Sequence, residues 1–276
     1  MGTTINTNVS SLTAQRNLSA SQSSLATSMQ RLSSGMRVNS AKDDAAGLAI
    51  AERMNAQVKG MNVAIRNASD AISLSQTAEG ALGKIADSLQ RMRELAVQSA
   101  NATNSDSDRL NLDTEYQALN EEVTRVLTGT KFNGTAVLDA AGTLDFQVGA
   151  NNSATDKISV TTTDLTAGTG VSAVTGGSIT TAAASLTAMD DIDDALTEIS
   201  TARASFGATQ NRFEAVISNL QVNAENQAAS RGRIVDADFA AETANLSRTQ
   251  VLQQAGMAMV AQANAMPNGV MQLLRG

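Results

Sequence analysis

The sequence predicts a mainly α-helical protein: a long antiparallel coiled coil or helical bundle with a small β-hairpin region in the middle of the chain. Apolar residues recur at heptad spacing on both sides of that middle. A single proline interrupts the 276 residues, and aromatic residues make up only 2% of them. Thin helical seams are therefore favoured over a thick globular core.

The first predicted helix covers the N-terminal end of the chain. Large apolar residues recur there between Ile5 and Met36, mostly at three- and four-residue steps. Ser, Thr, Asn and Gln occupy most other positions. Because a helix that is polar on most faces is marginally stable alone, we expect this helix to pair with the helix at the other end.

A longer helix is predicted from about residue 41 to residue 100, with Ser40 as its N-cap and Asp43 three residues on. One heptad row of this helix contains Met54, Met61, Ala68, Ser75, Leu82, Leu89 and Ala96. A sustained seven-residue repeat is typical of a coiled-coil seam. At about 1.5 Å per residue the helix would be roughly 90 Å long, which does not suit a compact enzyme.

In the middle of the chain the long heptad pattern gives way to a shorter helix and then to a β-type alternation. A shorter antiparallel helix is predicted at 104–128, followed by a turn at Asn133–Gly134. The segments "TLDFQVG" and "DKISVTT" alternate apolar and polar residues and predict a β-hairpin. The stretch 161–187 is rich in Thr, Ala, Gly and Ser, which favours loops and short strands or a partly flexible connection.

Helical periodicity returns after Ala188 and continues to an expected break at "AASRGRIVDADFA". Its main heptad row contains Ile192, Ile199, Phe206, Phe213 and Leu220. A last helix follows the break and extends towards the C-terminal end. Several of the 11 methionines lie on heptad rows, so seam packing is favoured for methionine over a soft binding surface.

This layout predicts two regions. Residues 1–40 with 233–276 should form a pair of terminal helices, and 41–187 with 188–232 a helical bundle that carries the β-hairpin. Within the bundle, 161–187 is a short variable segment. Burial of one apolar stripe offsets only part of the backbone entropy lost on ordering, so we expect the ends to order only against neighbouring copies of the chain.

Composition excludes several functions. The chain has no Cys and no His, which removes disulfides and the commonest general base and metal ligand. A net charge of −7 argues against nucleic-acid binding, and no apolar run is long enough to insert in a membrane. The acidic clusters are interpreted as first-turn helix residues, because they lack the spacing of a Ca²⁺ loop. We expect no catalytic, cofactor or metal site, and no secretory signal peptide.

Long motifs stand in order near both ends of the chain, among them "RLSSGMRVNSAKDDAAGLAIAERM", "LQRMRELAVQSANATNSDSDR" and "SRGRIVDADFAAETANLSRTQVLQQAGMAMVAQAN". In these motifs, which extend over about residues 1–150 and 188–276, the chain resembles bacterial flagellin. The middle is much shorter than in flagellins with large outer domains. The resemblance is therefore to a short form with a filament core and one spoke domain.

The resemblance implies a structural subunit, not an enzyme, that self-assembles into the helical flagellar filament used for swimming. It implies secretion through the flagellar type III export apparatus to an extracellular filament, beneath a cap. The implied partners are other copies of the chain, cap and hook-junction proteins, and a host innate immune receptor. A cytoplasmic export chaperone is expected to hold about 235–276.

Two sets of functional residues are expected. Apolar rows of the terminal helices should supply helix packing and subunit contacts, through Ile5, Val9, Leu12, Leu25, Met29, Leu32, Phe239, Leu246, Val260, Ala263, Val270 and Leu274. The resemblance implies receptor recognition and protofilament contact by Gln90, Arg91, Glu94, Leu95, Gln98 and Glu115. On the residues alone, alternating Arg and Glu more often form a solvated helix face with local ion pairs.

Two alternatives share parts of this pattern. A hook–filament junction protein would have similar terminal helices but should lack full matches in the central bundle. A secreted coiled-coil adhesin predicts a soluble oligomer of fixed size. Growth without a size limit, after seeding with filament fragments, distinguishes a filament subunit from an adhesin.

Overall fold

The computed structural model describes residues 7–273, and the side chains of residues 7–266. Its helices are α1 (Val9–Ser34), α2 (Ala45–Ala100), α3 (Asp106–Gly129), α4 (Thr169–Gly176), α5 (Ala182–Val235) and α6 (Phe239–Leu273). Its strands are β1 (Lys131–Phe132), β2 (Thr135–Ala136), β3 (Gly142–Gln147) and β4 (Lys157–Thr162). The predicted fold class, mainly α with a small β-hairpin region, is confirmed.

The described residues form two compact units. One lies within 1–56 and 226–276, and we call it the terminal unit. The other is Gln57–Glu225, the central unit. Helices α2 and α5 contribute to both units, whereas α1 and α6 belong to the terminal unit alone.

In the terminal unit, α1 packs against α6, so the predicted pairing of the two end helices is confirmed. Asn8 caps the start of α1, because its side chain accepts a hydrogen bond from the Ser11 backbone N–H at 3.1 Å. The helix ends at Gly35, which has φ of 71° and donates its N–H to the Arg31 carbonyl. Glycine adopts this left-handed conformation without a steric penalty.

The two breaks between helices pair with each other in the terminal unit. Met36 and Asp236 form an antiparallel bridge, with the Arg37 N–H donating to the Val235 carbonyl at 2.7 Å. The Ala237 N–H donates to the Gly35 carbonyl at 2.9 Å. Because α5 continues to Val235, the break expected over thirteen residues is confined to 236–238.

The start of α2 differs from the prediction that Ser40 is its N-cap. The helix begins at Ala45, and the Asp44 carboxylate accepts from the Gly47 N–H at 2.8 Å, as an N-cap does. Ser40 instead closes the preceding turn, donating its N–H to Asp43 at 2.9 Å and its hydroxyl at 3.0 Å. Hydrogen bonds from the backbones of Ser40 and Asn39 lower the pKa of Asp43.

The central unit has a well-filled core. Its largest fully buried side chains are Tyr116, Phe213, Leu82, Ile85, Leu89, Met92, Leu95, Leu127, Leu138, Ile179, Ile192 and Ile199. Glu79, which interrupts the heptad rows of α2, accepts a hydrogen bond from Gln210 of α5 at 3.1 Å and lies 3.8 Å from Arg203. Glu79 therefore adds a polar contact between α2 and α5 at the point where the apolar rows are interrupted.

Both predicted β features are present in the central unit. Asn133 and Gly134 have φ of 48° and 82° and join β1 to β2, as a two-residue hairpin turn requires. Strands β3 and β4 pair antiparallel from Gly142↔Thr162 to Gln147↔Lys157. Phe146 of β3 meets Phe213 edge-on, with ring centroids 5.7 Å apart, so the hairpin is anchored on the helical core.

Residues 161–187 are more regular than the predicted loops, short strands or flexible connection. They include α4 and the first residues of α5, which starts at Ala182 instead of after Ala188. Val171 and Val174 of α4 are buried, and the Glu198 carboxylate accepts from the Gly170 N–H at 3.1 Å. An eight-residue helix is too short to show a period, and Glu198 lies far along the chain.

Among the described residues, none of the helices is both long enough and apolar enough to cross a membrane.

Candidate functional site

The seam between α1 and α6 is filled by small and polar groups. Its buried side chains include Ser11, Ser28, Thr249 and Ala263. The Ser11 hydroxyl donates to Asn264 Oδ1 at 2.6 Å, and Asn8 Nδ2 donates to the Ala263 carbonyl at 2.7 Å. A seam of this kind removes little apolar area from water, so the hydrophobic effect stabilises the pair only weakly.

One acidic side chain is also buried in the terminal unit. Glu242, in the first turn of α6, is 8% exposed and lies 3.9 Å from the Arg31 guanidinium. The Arg31 Nε atom is buried without a hydrogen-bond partner among the described residues. This ion pair has loose geometry, and such pairs recover little of the cost of desolvating their charges.

The structure divides the predicted packing residues of the terminal helices by exposure. Ala263 is buried, and Leu25, Leu32, Leu246 and Val260 are half-buried. Val9, Leu12, Met29 and Phe239 are exposed, at 52–62%. Ile5 and Leu274 lie outside the described residues, and Val270 lies beyond the described side chains.

Helix α6 exposes further apolar side chains that the predicted set does not include. They are Val251, Leu252, Met257, Met259 and Met266, at 50–65% exposure. They occupy several faces of the helix, whereas a heptad row marks only the face turned to one partner. Their signal in the sequence is the absence of any charged residue from 249–274.

An apolar groove of about 570 Å³ runs between α1 and α6. Its walls include Val9 and Thr13 from α1, with Leu252 and Met259 from α6. Gly256 also lines the groove, and a Cβ atom added there would lie 3.1 Å from Leu18 Cδ1. The lining also includes Ala14 and Ala255, with the polar side chains of Ser10, Asn17 and Ser21, so the groove can accept apolar side chains along its apolar part.

A second surface lies on α2 and α3 of the central unit. The exposed Arg91 guanidinium donates to Glu94 at 2.8 Å and to Glu115 of α3 at 2.8 and 3.0 Å. These hydrogen bonds raise the pKa of Arg91, with the bond to Glu94 contributing most. Gln90 and Gln98 are also exposed, whereas Leu95 is 1% exposed and belongs to the core beneath.

Arg93 extends this surface to α5, although the sequence offers no sign of it. Its guanidinium donates to the two carboxylate oxygens of Asp193 at 2.7 and 3.1 Å. A shallow depression beside it is lined by Gln90, Arg93, Glu94 and Val97. Because Asp193 is 100 residues away in the chain, no local pattern predicts the pair.

The turn from α2 to α3 positions Glu115 opposite Arg91. Arg109 is 7% exposed, and its guanidinium donates to the carbonyls of Ser99, Asn101 and Asn104. It therefore caps the end of α2, whose last turn has no basic residue of its own. Ser105 starts α3 with a capping box to Asp108.

Neither surface has the groups of a catalytic centre. The chain contains no His or Cys, and no three acidic side chains of the described part gather closely enough to hold a metal ion. Both surfaces can instead serve as contact areas for other molecules. The surface of the terminal unit is apolar, and the surface of the central unit is charged.

Two family models match the chain. The model of the bacterial flagellin N-terminal helical region matches residues 5–143, and that of the C-terminal helical region matches 189–274. A flagellin of Halalkalibacterium halodurans is 45% identical over 272 residues, covering 98% of this chain and 99% of the relative. A flagellin of Bacillus subtilis is 39% identical over 308 aligned positions, with the same coverage of both.

Solved structures agree with these matches. The crystal structure of Bacillus cereus flagellin is 33% identical with a TM-score of 0.50, covering 60% of this chain and 94% of that one. A putative flagellar hook-associated protein from Vibrio parahaemolyticus has a TM-score of 0.58, covering 70% of this chain and all of that one. At 14% identity it shares the fold alone.

The matches decide between the functions left open by the sequence. Identity to flagellins extends over nearly the whole chain, including the central bundle, so neither a junction protein nor an adhesin is favoured. Flagellins are structural proteins, not enzymes, and they form the extracellular filament that drives swimming. The chain therefore belongs to the bacterial flagellin family, as a short-form structural subunit of the flagellar filament.

Proposed function

We propose that subunits assemble through the terminal unit, whose exposed apolar side chains contact other copies of the chain in the filament core. In this proposal 1–40 with 233–276 forms the core region. Residues 41–187 with 188–232 form the spoke domain, with 161–187 as its variable segment. The observation that carries the proposal is the burial pattern of the α1–α6 pair, whose buried side chains are small or polar while many of its large apolar side chains are exposed.

The area of this apolar surface and its distribution over the helices favour a subunit that assembles over one that functions as a monomer. Val9, Phe239, Val251 and Met259 are each more than half exposed. Apolar side chains on several faces of one helix suit contacts with several neighbours at once. Contacts between different surfaces of successive copies extend without limit, which is how a helical filament grows.

The same features imply that the terminal unit is marginally stable in a free subunit. Its helices bury little large apolar area against each other, and its buried Glu242 has only the loose pairing with Arg31. Ordering the backbone of two long helices costs about 1–2 kcal/mol per residue. We therefore expect the missing stabilisation to come from neighbouring subunits.

We also propose the route that brings the subunit to the filament. It is secreted through the flagellar type III export apparatus and polymerises beneath the filament cap, beyond the hook-junction proteins. A chain without cysteine cannot be locked by disulfides before export. An export chaperone in the cytoplasm would cover about 235–276, a range in which α6 exposes apolar side chains from Phe239 to Met266.

The charged surface of the central unit is our candidate for recognition by a host innate immune receptor and for contact between protofilaments. Gln90, Arg91, Glu94, Gln98 and Glu115 are exposed and can take part directly. Leu95 would act from beneath, by holding this part of α2 on the core. Arg–carboxylate networks of this kind add specificity and speed of association more than affinity.

Seeded polymerisation tests the assembly proposal. Leu252→Ser with Met259→Ser places two hydroxyls on the apolar groove of the terminal unit, and Val63→Ser changes an exposed apolar residue of the central unit as a control. We expect wild-type and control subunits to elongate filament seeds without a size limit, and the double variant to lose most elongation. Normal elongation of the double variant, or a wild-type oligomer of fixed size, contradicts the proposal.

Receptor recognition needs a separate test. Arg91→Ala removes the link between α2 and α3, whereas Arg125→Ala removes an exposed arginine whose partner, Glu122, lies on its own helix. We expect Arg91→Ala to weaken binding to the purified receptor ectodomain at least about tenfold, and Arg125→Ala to leave it unchanged. Equal binding by both variants would remove this surface from the proposal.

A further inference from the structure

Methionine is the main target that this chain offers to two-electron oxidants. The sequence contains no Cys, no Trp and no His, and its one tyrosine, Tyr116, is fully buried. Thioethers react with peroxides to give sulfoxides, a change that methionine sulfoxide reductases reverse. With 11 methionines in the chain, exposure decides which of them react first.

The methionines whose side chains the structure describes differ in exposure, and Met36, Met54 and Met189 are half-buried. Met29, Met257, Met259 and Met266 of the terminal unit are 52–62% exposed, and we call these four the exposed methionines. Met61 and Met92 of the central unit are 8% and 0% exposed. The interpretation of methionines on heptad rows as seam residues is thus confirmed for Met61 and Met92.

The exposed methionines lie on the surface proposed for assembly. Met259 lines the apolar groove together with Leu252 and Val9. Met266 follows Met259 by seven residues on the same helix and so lies on nearly the same face. Met29 adds a thioether on α1, the other helix of the pair.

We propose that the exposed methionines are an oxidation site that switches off assembly of the free subunit. In the reaction, a thioether sulfur attacks one oxygen of a peroxide, the O–O bond breaks, and an S–O bond forms. The attacked oxygen gives up its proton to the other oxygen, which leaves as water or an alcohol, depending on the peroxide. The sulfur loses two electrons and the peroxide gains them. This inference rests on the proposed function, because it takes the apolar surface of the terminal unit to be the contact between copies.

A sulfoxide opposes assembly because it is a polar, strongly hydrogen-bonding group on a surface that must leave water. Val9, Ala14, Leu252 and Ala255 line the groove together with Ser10, Thr13, Asn17 and Ser21, and burying a sulfoxide oxygen against the apolar part of this lining costs free energy. Each sulfoxide buried without a partner should weaken subunit addition about tenfold. Once a subunit is in the filament the same thioethers are covered, so oxidation acts before assembly and not after it.

The test compares three chains, each treated as a free subunit with hydrogen peroxide. These are the wild type, a leucine variant with all four exposed methionines changed to Leu, and a core control with Met61→Leu and Met92→Leu. Leucine has nearly the volume of methionine and no oxidisable sulfur, so both variants should fold. Peptide mass spectrometry locates the added oxygens, and seeded elongation measures assembly.

We expect treated wild type to carry oxygen mainly on the exposed methionines and to elongate at least about tenfold more slowly than untreated subunits. The leucine variant should elongate equally before and after treatment, and the core control should behave as the wild type. Methionine sulfoxide reductases specific for both sulfoxide epimers should restore elongation. Assembled filaments should resist oxidation at the same positions.

The outcomes separate this inference from the function on which it rests. Failure of untreated wild type to elongate seeds overturns the proposed function. If untreated subunits elongate but oxidised wild type does so equally well, the oxidation switch is wrong and the proposed function stands. Peroxide sensitivity that persists in the leucine variant, or oxygen found first on Met61 and Met92, also overturns the switch.

Discussion

The central unit and the α1–α6 pair of the terminal unit differ in the side chains that they bury. In the central unit, Leu89, Met92 and Phe213 are fully buried, and helices meet through large apolar groups. In the terminal unit, Ser11 and Ser28 are the buried residues of α1. Both units are built from long paired helices, so secondary structure alone does not decide whether a region is self-sufficient. The size and polarity of the groups in the seam decide it.

This difference predicts whether a substitution changes the stability of a single subunit or its assembly into a filament. Changes in the core of the central unit should alter the stability of a single subunit. Changes on the apolar surface of the terminal unit should leave a single subunit almost unaffected and alter its addition to a filament. The predictions below test this division, from the largest expected effect to the smallest.

Two phenylalanines provide the sharpest contrast. Phe213 is fully buried in the central unit, whereas Phe239 of the terminal unit is 57% exposed. We expect Phe213→Ala to lower the free energy of unfolding by about 3–5 kcal/mol, because it leaves a cavity against Phe146. Phe239→Ala should change it by less than about 0.5 kcal/mol but slow seeded elongation. Urea unfolding of free subunits measures both, and equal losses would contradict the division.

The single tyrosine reports on the core of the central unit. Burial, and then the charges of Asp191 and Asp113, raises the pKa of Tyr116 to about 12. Because the unfolded value is about 10, its contribution to stability is complete below pH 10 and is lost as pH rises through about 12. The expected loss is roughly 2–3 kcal/mol, and tyrosinate absorbance of the native subunit measures the midpoint. A midpoint near 10 in the folded chain would mean that this part of the core is open to water.

Tyr116→Phe is the matched control for that titration. The Tyr116 hydroxyl is buried without a hydrogen-bond partner among the described residues. Its removal should therefore leave stability at neutral pH unchanged or slightly higher, and should abolish the tyrosine component of the alkaline loss. A large destabilisation of Tyr116→Phe at neutral pH would show that the Tyr116 hydroxyl makes a stabilising hydrogen bond in the native subunit.

Arg109 tests how the charged surface is positioned. Arg109→Met leaves the carbonyls of Ser99, Asn101 and Asn104 without this donor, and we expect a loss of about 1–2 kcal/mol. Arg109→Lys should recover only part of it, since an ammonium group cannot reproduce the planar fork. Thermal unfolding measures the loss of stability. Faster hydrogen exchange confined to residues 99–105 would show that the loss arises in the turn between α2 and α3. No change in either variant would rule out capping by Arg109.

The exposed pair of Arg93 and Asp193 should have the smallest effect. Hydrogen bonding to Arg93 lowers the pKa of Asp193, so the pair stabilises the folded state above the ordinary aspartate pKa of about 4. That contribution is lost as pH falls through the lowered value, and salt weakens it. Arg93→Ala should therefore shift the unfolding midpoint less than Arg109→Met does. A larger shift would show that the pair is more than a surface contact.

Much of the fold could be predicted from local patterns, because those patterns repeat. Heptad rows such as Leu82–Leu89 and Phe206–Phe213 predict α2 and α5, and alternation predicts β3 and β4. The residues that cap individual helices, and the short helix α4, were harder to predict from the sequence. Both Ser40 and Asp44 can cap a helix, and the choice depends on Asp43 closing a turn with Ser40. The start of helix α4 donates a backbone hydrogen bond to Glu198, which lies 28 residues from Gly170, so no local pattern in the sequence shows this contact.

The candidate surfaces were predictable only in part, for a different physical reason. Periodicity shows which residues share a face, but not whether that face meets its own chain, another copy or water. Leu25 and Met29 belong to one predicted stripe, yet Leu25 is half-buried and Met29 exposed. The bridge from Arg93 to Asp193 joins distant residues and has no local signature.

Hydrogen exchange on free and assembled subunits tests most directly whether the terminal unit depends on other copies. In the free subunit, we expect amides of α1 and α6 to exchange at least about a hundredfold faster than those of residues 80–95 in α2. On assembly, the amides of α1 and α6 should become as protected as the central unit. If they are already as slow in the free subunit as residues 80–95, the terminal unit is stable by itself and our explanation of its exposed apolar surface is wrong.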